Sequence, residues 1–290
     1  MRIHLVDGTY ELFRSFYATP QKKSPDGREV GATLGLLRSL HVLITRSEAT
    51  HIACAFDHVI ESFRNDLFPG YKDGAGVDPL LLEQFALAEE AVSAMGMVVW
   101  PMVEFEADDA LATAAHRFQE EPAVEQVLIC SPDKDLAQLV SGSRVVCWDR
   151  RREIIYDEAG VMQKYGVRPG SIPDWLALVG DSADGIPGVP AWGAKSASAV
   201  LSKYEHLESI PADPLSWGLA GSRALRLAEN LKAHIDEAYL YRSLATLRRD
   251  VPLEERVDDL EWRGARGNFQ AMCAKLGDNE LAGRVPGRMD

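Results

Sequence analysis

The chain has 290 residues, of which 46% are hydrophobic and 26% charged, and its formal net charge is -13. This composition excludes disordered, collagen-like and coiled-coil proteins, and the length fits one large domain or a main domain with a smaller companion. Taken alone, the negative charge argues against a nucleic-acid partner, but acids gathered in one metal site would leave basic stripes elsewhere on the surface.

The first half of the chain alternates strand-like and helix-like patterns. Short apolar runs that each lead into an acid or a turn predict buried parallel strands, at "RIHLVD", "HIACAFD", "MVVWPMVEF" and "EQVLICSPD". Apolar residues spaced by three or four predict helices at "GATLGLLRSLHVLITRS", "PLLLEQFALAEEAVSAMG" and "DDALATAAHRFQEE". The Gly-rich "YKDGAGVD" predicts the edge of a longer loop or arch. This alternation indicates a mostly parallel sheet covered by helices.

From about residue 172 the pattern changes to helices separated by Gly and Pro turns. Helices are predicted at "SIPDWLALVGD", "GAKSASAVLSKY", "GSRALRLAENLKAHIDEAYLYRSLATL" and "GNFQAMCAKLGD". The sequence therefore predicts an α/β part followed by a helical part.

No apolar run in the sequence reaches the roughly 18 residues that cross a bilayer, and "MRIHLVDGTY" lacks the apolar core of a signal peptide. We therefore expect a cytoplasmic protein without a membrane partner. The four cysteines are far apart and form no CxxC pair, which argues against a disulfide framework or a zinc site. We expect reduced and mostly buried thiols at Cys54, Cys130, Cys147 and Cys273.

Nine carboxylates follow the predicted strands or the turn after "WLALVG". In parallel sheets ligands collect beyond the carboxyl ends of the strands. Oxygen ligands without His or Cys favour Mg²⁺ or Mn²⁺, and more acids than one ion needs suggests two ions, as in phosphodiester cleavage. Single members could instead cap helices or order turns. The candidate ligands are Asp7, Asp57, Glu106, Asp108, Asp109, Asp133, Asp135, Asp181 and Asp184.

Other enzyme classes lack their signatures. "VDGTY" is close to the DxDGT motif of aspartate-nucleophile phosphatases, but Leu5 occupies the position of the nucleophile. No GxGxxG follows a strand and no GxxxxGK[ST] occurs, so dinucleotide-binding and P-loop folds have no support. No Ser or Cys nucleophile paired with His is recognisable either.

The segment "GDSADGIPGVPAWGAKSASAVLSKY" places two acids ahead of a Gly/Pro turn that opens a helix. Glycines allow close approach of the backbone to a phosphate, and the N–H groups at the helix start offer hydrogen bonds to it. Lys195 and Lys203 would add positive charge there. An ordinary interhelical loop is the alternative. Among the other basic residues, those beside the acids matter most, namely Arg14, Arg64 and Lys72.

Five blocks of the sequence resemble the 5′-nuclease family, the flap endonucleases and 5′ to 3′ exonucleases found as the N-terminal domain of bacterial DNA polymerase I and as stand-alone enzymes. The blocks are "LVDGTYELFRSFYA", "AFDHVIESFRNDLFPGYK", "FEADDALA", "SPDKDLAQL" and "GDSADGIPGVPAWGAKSA", with a softer match at "YRSLATLRRDVPLE". They keep the family order over about residues 1–255. We expect the stand-alone form, because no polymerase domain follows.

The resemblance implies an architecture. We expect a PIN-like α/β nuclease core at 1–171 with a helical arch at about 65–90. A helical DNA-binding region would follow at 172–290, with a helix-three-turn-helix motif at about 180–204. The implied activity is divalent-metal-dependent cleavage at 5′ flaps, nicks or free 5′ ends of DNA, RNA-primed ends included, in replication and repair. We expect a monomer.

The resemblance also assigns roles to residues. The nine acids match the family's metal ligands. Those that would serve mainly the second of two Mg²⁺ or Mn²⁺ ions are Asp133, Asp135, Asp181 and Asp184. Lys72 and Arg64 match residues at the base of the arch that contact the scissile phosphate, and Arg14 matches a residue near the active site. The turn would grip duplex DNA, with a monovalent cation such as K⁺. The implied DNA-binding residues are Tyr71, Gly188, Val189, Trp192, Gly193, Lys195 and Ser196.

Two departures from the family pattern stand out. Ala191 replaces the usual Gly, although Ala tolerates positive φ poorly, and Trp192 replaces a small or β-branched residue. The arch after Lys72 carries Asp73, Asp78 and Glu83 and no further basic residue, which predicts weaker threading of a single strand. Two other functions remain open, a single-strand-specific ribonuclease of the PIN type and a non-catalytic junction-binding protein.

Overall fold

The computed structural model describes residues 1–47 and 49–287. Within these residues the chain forms two compact units. The first unit contains Met1–Ile60, Gly74–Ser131 and the chain from Arg249 onward, and the second contains Glu61–Asp73 and Pro132–Arg248. The predicted domain limits at 1–171 and 172–290 stay a prediction, and the last three residues of the second range lie outside the described residues.

The strands and helices are as follows, in chain order. The strands are β1 Arg2–Asp7, β2 His51–Asp57, β3 Val98–Met102, β4 Gln126–Cys130, β5 Val145–Asp149 and β6 Ile154–Tyr156. The helices are α1 Gly8–Ala18, α2 Gly31–Ser47, α3 Phe63–Leu67, α4 Pro79–Leu82, α5 Phe85–Ala94, α6 Ala107–Phe118, α7 Glu158–Tyr165, α8 Ile172–Val179, α9 Ala194–Tyr204, α10 Gly221–Ala233, α11 Ile235–Ala245, α12 Phe269–Leu276 and α13 Asn279–Arg284.

The first unit is built on a parallel sheet. Its strand order is β3-β2-β1-β4, and each neighbouring pair is parallel. The middle strands are buried on both faces, because side chains such as Leu5, Val6 and Ile52 are inaccessible to solvent. The predicted strands and their parallel arrangement are confirmed, and β1 and β2 end at Asp7 and Asp57.

The second unit contains an antiparallel hairpin followed by helices. β5 pairs with β6, and the Asp149 carboxylate closes the turn by accepting hydrogen bonds from the backbone N–H groups of Arg151 and Arg152, at 3.1 and 3.0 Å. This hairpin was not predicted from the sequence. Short strands around an Arg-rich turn give only a weak periodic signal, and Asp149 was the residue that could have revealed the turn.

Two predicted helices are each broken in two. The predicted helix over 79–96 breaks between α4 and α5, where the buried Gln84 accepts a hydrogen bond from Thr33 N at 3.0 Å and donates one to Leu80 O at 3.0 Å. The predicted helix over 221–247 breaks at His234, whose φ of -124° and ψ of 31° are not helical. Tertiary contacts and local backbone geometry thus override a continuous apolar pattern.

The remaining expectations from composition concern cysteines and membranes. Cys54, Cys130, Cys147 and Cys273 are buried thiols rather than disulfides, as predicted. Among the described residues, no helix combines the length and the apolar character needed to cross a bilayer.

Candidate metal centre and nucleic-acid interface

In the first unit, two predicted ligands lie at the carboxyl ends of neighbouring strands. Asp7 caps α1, since its Oδ1 accepts a hydrogen bond from Tyr10 N at 2.8 Å, and its Oδ2 accepts one from Ser131 Oγ at 2.9 Å. Asp57 Oδ1 accepts a hydrogen bond from Ala107 N, at 2.8 Å, at the start of α6. Both carboxylates are therefore oriented by backbone N–H groups near the edge of the sheet where a cation would bind.

The acids of "EFEADDALA" form the N-terminus of α6. Glu106 is the N-cap residue and is 4% exposed, whereas Asp109 is fully buried and its Oδ2 accepts a hydrogen bond from Glu106 N at 3.0 Å. Asp108 lies in the same first turn and is half-buried. A helix N-terminus favours negative charge, so the capping explanation holds for Asp109. Capping uses only part of each carboxylate's capacity to accept hydrogen bonds or bind a cation.

In the second unit, three predicted ligands come together. Asp135, Asp181 and Asp184 each offer a carboxylate oxygen, and the three oxygens lie within 4.8 Å of one another. Across residues 1–47 and 49–287, no second group of three His, Cys, Asp or Glu residues meets this distance. The structure therefore unites three of the nine acids at cation-binding distance and does not gather the other six into a comparable group.

Asp135 lies at the centre of this metal-binding group. Its Oδ1 is buried and has no hydrogen-bond partner, while its backbone N–H donates to Asp133 Oδ1 at 2.9 Å. Burial, followed by the charges of Asp133, Asp184 and Asp181, raises the pKa of Asp135 well above its usual range. A buried carboxylate oxygen without a partner is costly, and a hard divalent cation would satisfy it. The residues present thus fit Mg²⁺ or Mn²⁺.

Two lysines contact the metal-binding group, and only Lys72 was predicted from the sequence to lie there. Lys72 Nζ lies 3.1 Å from Asp184 Oδ1, and Lys72 N donates to Asp184 O at 3.0 Å. Lys134, which was not predicted, has its Nζ 2.6 Å from Asp181 Oδ2. Its position between Asp133 and Asp135 in "SPDKD" was the available signal. The two lysines partly neutralise the acids in the absence of metal.

Arg64 was predicted to contact the scissile phosphate, and this role stays a prediction, because the side chain is buried in this structure. The whole residue is 1% exposed. Its Nε donates to Leu244 O, in the last turn of α11, at 2.8 Å, and its Nη2 donates to Thr246 O, just beyond that helix, at 3.3 Å. The guanidinium also stacks on the Phe63 ring, 4.6 Å from its centroid. In this structure the Arg64 guanidinium therefore bonds to backbone carbonyl groups near the end of α11.

Arg14 is partly exposed and is oriented by two side chains of the first unit. Its Nη2 donates to Glu11 Oε2 and, at 2.9 Å, to Ser39 Oγ. Ser39 Oγ also donates to Glu11 Oε2 at 2.8 Å, and Glu11 is 1% exposed. Arg14 Nε is buried without a hydrogen-bond partner. The predicted role of Arg14 near the reacting phosphate stays a prediction.

The segment between α8 and α9 forms consecutive turns. Asp181 and Ile186 exchange two backbone hydrogen bonds of 2.8 Å, and Val189 N donates to Leu178 O at 2.9 Å. Gly185 and Gly188 both have φ of 74°, a region that glycine adopts without strain. Ala191 has φ of 66°, so the chain keeps the left-handed conformation although Ala replaces the usual Gly.

Most of the predicted DNA-binding side chains are buried. Trp192 Nε1 donates to Leu227 O at 3.1 Å, and the Trp192 ring packs 5.7 Å from that of Trp217. Lys195 is exposed, and Gly188 and Gly193 are half-buried. In this structure Val189, Trp192 and Ser196 thus lie buried at the turn, Tyr71 is buried in the segment after α3, and DNA contacts at these positions would come from the backbone. Their DNA-binding role stays a prediction. The exposed fraction is between 1 and 7% for each of Tyr71, Val189, Trp192 and Ser196.

Comparisons with known proteins identify the family of the chain. Residues 2–166 match the family model described as "5'-3' exonuclease, N-terminal resolvase-like domain", and residues 167–268 match "5'-3' exonuclease, C-terminal SAM fold". DNA polymerase I of Bacillus caldotenax is 33% identical over 283 residues, covering 95% of this chain and 31% of that protein. DNA polymerase I of Rhizobium leguminosarum is 36% identical over 267 residues, covering 89% and 26%. The chain thus spans about a third or less of these curated relatives.

Solved structures share the fold. A T5 5'-exonuclease with bound divalent metal ions (zinc) has a TM-score of 0.68 at 19% identity, covering 98% of this chain and 97% of that one. A bacteriophage T5 flap endonuclease variant in a pseudo-enzyme-product complex with DNA and metal ions has a TM-score of 0.65 at 20% identity, covering 98% and 96%. The family models together match most of the sequence, and the chain therefore belongs to the 5′-3′ exonuclease family.

Proposed function

We propose that this chain is a divalent-metal-dependent, structure-specific 5′-nuclease that hydrolyses phosphodiester bonds near 5′ ends, flaps or nicks of DNA. The observation that carries the proposal is the metal-binding group of Asp135, Asp181 and Asp184, in which the buried Asp135 Oδ1 lacks a partner. Membership of the 5′-3′ exonuclease family supports the reaction type. The metal complexes of the T5 enzymes support the need for a cation.

The chain would hold two Mg²⁺ or Mn²⁺ ions with separate sets of acids. Asp181 and Asp184 would ligate one ion together with Asp135, and Asp133 orients that group through the Asp135 N–H. The ions supply activation of a water and stabilisation of the leaving oxygen when they are bound. Ligands for the other ion would come from the first unit, from Asp7, Asp57, Glu106, Asp108 and Asp109.

Lys72 would donate hydrogen bonds to the phosphate at which cleavage occurs. Its ammonium group lies beside Asp184 and remains 27% exposed, so it combines a position at the metal-binding group with access from solvent. Arg14 would contribute a second positive charge, because Glu11 and Ser39 fix its guanidinium. Positive groups fixed before the reaction stabilise the charge that develops on the phosphate.

The turns at about 180–204 would bind duplex DNA as a helix-three-turn-helix motif. The exposed Lys195 in the first turn of α9, the half-buried backbone at Gly188 and Gly193, and a bound K⁺ would contact phosphates. The complex of the T5 flap endonuclease variant with DNA supports a DNA partner. The arch at about 65–90, the domain limits at 171/172, a monomeric state and a cytoplasmic location belong to the same proposal.

The test is cleavage of 5′-labelled flap, nicked, blunt and RNA-bearing duplexes, with and without Mg²⁺ or Mn²⁺, with products mapped at nucleotide resolution. We expect metal-dependent products near the 5′ end of flap or nicked DNA. Asp7→Asn and Asp135→Asn should abolish cleavage while the protein stays folded. Asn caps α1 about as well as Asp7 does, and an uncharged side chain at position 135 relieves repulsion among the neighbouring acids. The exposed Asp258→Asn is the matched control and should cleave normally.

The same assay distinguishes the alternative functions. Preferential cleavage of single-stranded RNA over flap DNA would favour a PIN-type ribonuclease. Metal-independent binding to branched DNA with no product at any Mg²⁺ or Mn²⁺ concentration would favour a non-catalytic junction-binding protein. Either result would overturn the proposed nuclease.

A further inference from the structure

The end of α11 is fastened by two side chains that come from distant parts of the second unit. The last carbonyl groups of any helix lack partners within that helix. Around the end of α11, the carbonyl oxygens of Leu244, Ala245 and Thr246 accept hydrogen bonds from the side chains of Arg64 and Gln138. Each of these two side chains belongs to a segment that carries a residue of the proposed active site.

Gln138 links the end of α11 to the segment of Asp135. Its Nε2 donates to Asp135 O at 2.8 Å and to Ala245 O at 2.9 Å, and its Oε1 accepts from Leu247 N at 3.0 Å. The residue is 7% exposed and lies in the 3-10 helix Asp135–Leu139. The three bonds use both polar atoms of the amide, and they join the backbone at Asp135 to the chain on both sides of the α11 terminus.

Arg64 links the same helix end to the segment of Lys72. Arg64 lies in α3, and the next residue, Asn65, donates from Nδ2 to Lys72 O at 2.9 Å. Lys72 in turn contacts Asp184 through its backbone N–H and its ammonium group. The end of α11 is thus a shared anchor for Asp135 on one side and for the Lys72–Asp184 pair on the other.

We propose that Gln138 is a positioning residue for the metal-binding group, which it serves by fastening Asp135 to the end of α11. This inference rests on the proposed metal dependence. It is independent of the identity of the nucleic-acid substrate. Gln138 itself offers no charge and would not ligate the ion. Its hydrogen bonds fix the position of Asp135 relative to Asp181 and Asp184. The ligand oxygens of these three acids lie within 4.8 Å of one another.

The test measures Mn²⁺ binding to the DNA-free full chain by isothermal titration calorimetry. Gln138→Leu keeps a similar volume but removes all three hydrogen bonds, and we expect Mn²⁺ affinity to fall about tenfold or more, as for other residues that orient metal ligands. Gln138→Asn keeps the amide on a shorter side chain and should show a smaller loss of affinity. In cleavage assays the Mg²⁺ concentration for half-maximal rate should rise by a similar factor, with much of the rate recovered at saturating Mg²⁺.

Val161→Ala is the matched control, since Val161 is fully buried in α7 of the same unit and its truncation destabilises the fold without touching the α11 end. It should bind Mn²⁺ with an affinity within about twofold of that of the wild type, since the metal ligands are left in place.

If Gln138→Leu and Gln138→Asn both bind Mn²⁺ like the wild type while Asp135→Asn does not, the positioning role is overturned and the proposed function stands. If Asp135→Asn also binds and cleaves normally, the proposed function itself fails. Should Gln138→Leu not fold, Gln138→Asn alone decides the question.

Discussion

Lys134, the residue between Asp133 and Asp135, places its Nζ 2.6 Å from Asp181 Oδ2. Burial alone would lower the pKa of Lys134, but the hydrogen bond and charge of Asp181, with the charges of Asp135 and Asp133, raise it above its usual value. The ammonium group is therefore fixed in its charged form beside acids that repel one another. In the metal-free protein it supplies part of the positive charge that a cation would bring.

Replacing Lys134 tests this balance of charge. Lys134→Met should lower the free energy of unfolding of the metal-free protein, because Asp181 loses its partner, and should tighten Mn²⁺ binding by about fivefold or more. The estimate follows from the interaction of two charges about 4 Å apart, which is roughly 1–4 kcal/mol near a protein surface. Urea unfolding and calorimetric Mn²⁺ titration measure the two effects. Lys195→Met, on the exposed start of α9, is the control. Weaker Mn²⁺ binding by Lys134→Met would show that the lysine orients Asp181 for the metal.

Asp135 should make the metal-free protein sensitive to pH. Its pKa is raised in the fold by burial and by Asp133, Asp184 and Asp181, whereas an Asp in an unfolded chain titrates near about 4. The ionised carboxylate therefore destabilises the fold above the raised pKa, and the penalty disappears as the pH falls through that pKa toward the unfolded value.

We therefore expect Asp135→Asn to raise the Tm of the metal-free protein at neutral pH and to lose this advantage near pH 4. Each kcal/mol should shift the Tm of a protein of this size by roughly 2–4 °C. Added Mn²⁺ should raise the Tm of the wild type by mass action and that of the variant much less. Calorimetric scans from pH 4 to 8 with and without Mn²⁺ measure both effects. A metal-free variant less stable than the wild type at pH 7 would contradict the assignment.

The strand ends were predictable, whereas the partners of the site residues were not. Asp7 and Asp57 terminate short apolar runs, and a parallel sheet brings such ends to one edge, so local pattern was sufficient. Arg64 lies in a block that marks the family, yet its partners Leu244 and Thr246 are about 180 residues further along the chain. Nothing in the local sequence indicates that a helix end needs this guanidinium.

The same limit explains the other differences. The helix predicted over 79–96 is interrupted at Gln84, whose buried side chain bonds to Thr33, 51 positions earlier in the chain. Lys134 and Gln138 matter through contacts made by three-dimensional packing, although both belong to the "SPDKDLAQL" block that was recognised. Sequence reasoning located the acids by chemistry. The side chains that hold them in place required the structure.

Gly185 brings two segments of the proposed site into close contact. Its φ is 74°, and an ideal Cβ at this position would lie 2.1 Å from Gly70 O. Gly185→Ala should therefore separate the segment of Asp184 from that of Lys72, reduce the free energy of unfolding by about 2 kcal/mol or more, and weaken Mn²⁺ binding. Gly142 has a φ of 51°, and an ideal Cβ there would have no atom within 4 Å. Gly142→Ala therefore serves as the control for backbone strain alone. Equal losses in the two variants would exclude the contact with Gly70 as the cause.

Ala191 keeps a left-handed backbone that glycine adopts more easily. Its φ is 66°, in the turn that precedes α9. A left-handed L-residue costs roughly 1–2 kcal/mol, while glycine gives up about 0.5–1 kcal/mol through the freedom of the unfolded chain. Ala191→Gly should thus stabilise the protein by about 0.5–1 kcal/mol in urea unfolding. Ala199→Gly, inside α9, should instead destabilise it by about 1 kcal/mol. A less stable Ala191→Gly variant would mean that the turn gains more from the methyl group than it loses to backbone strain.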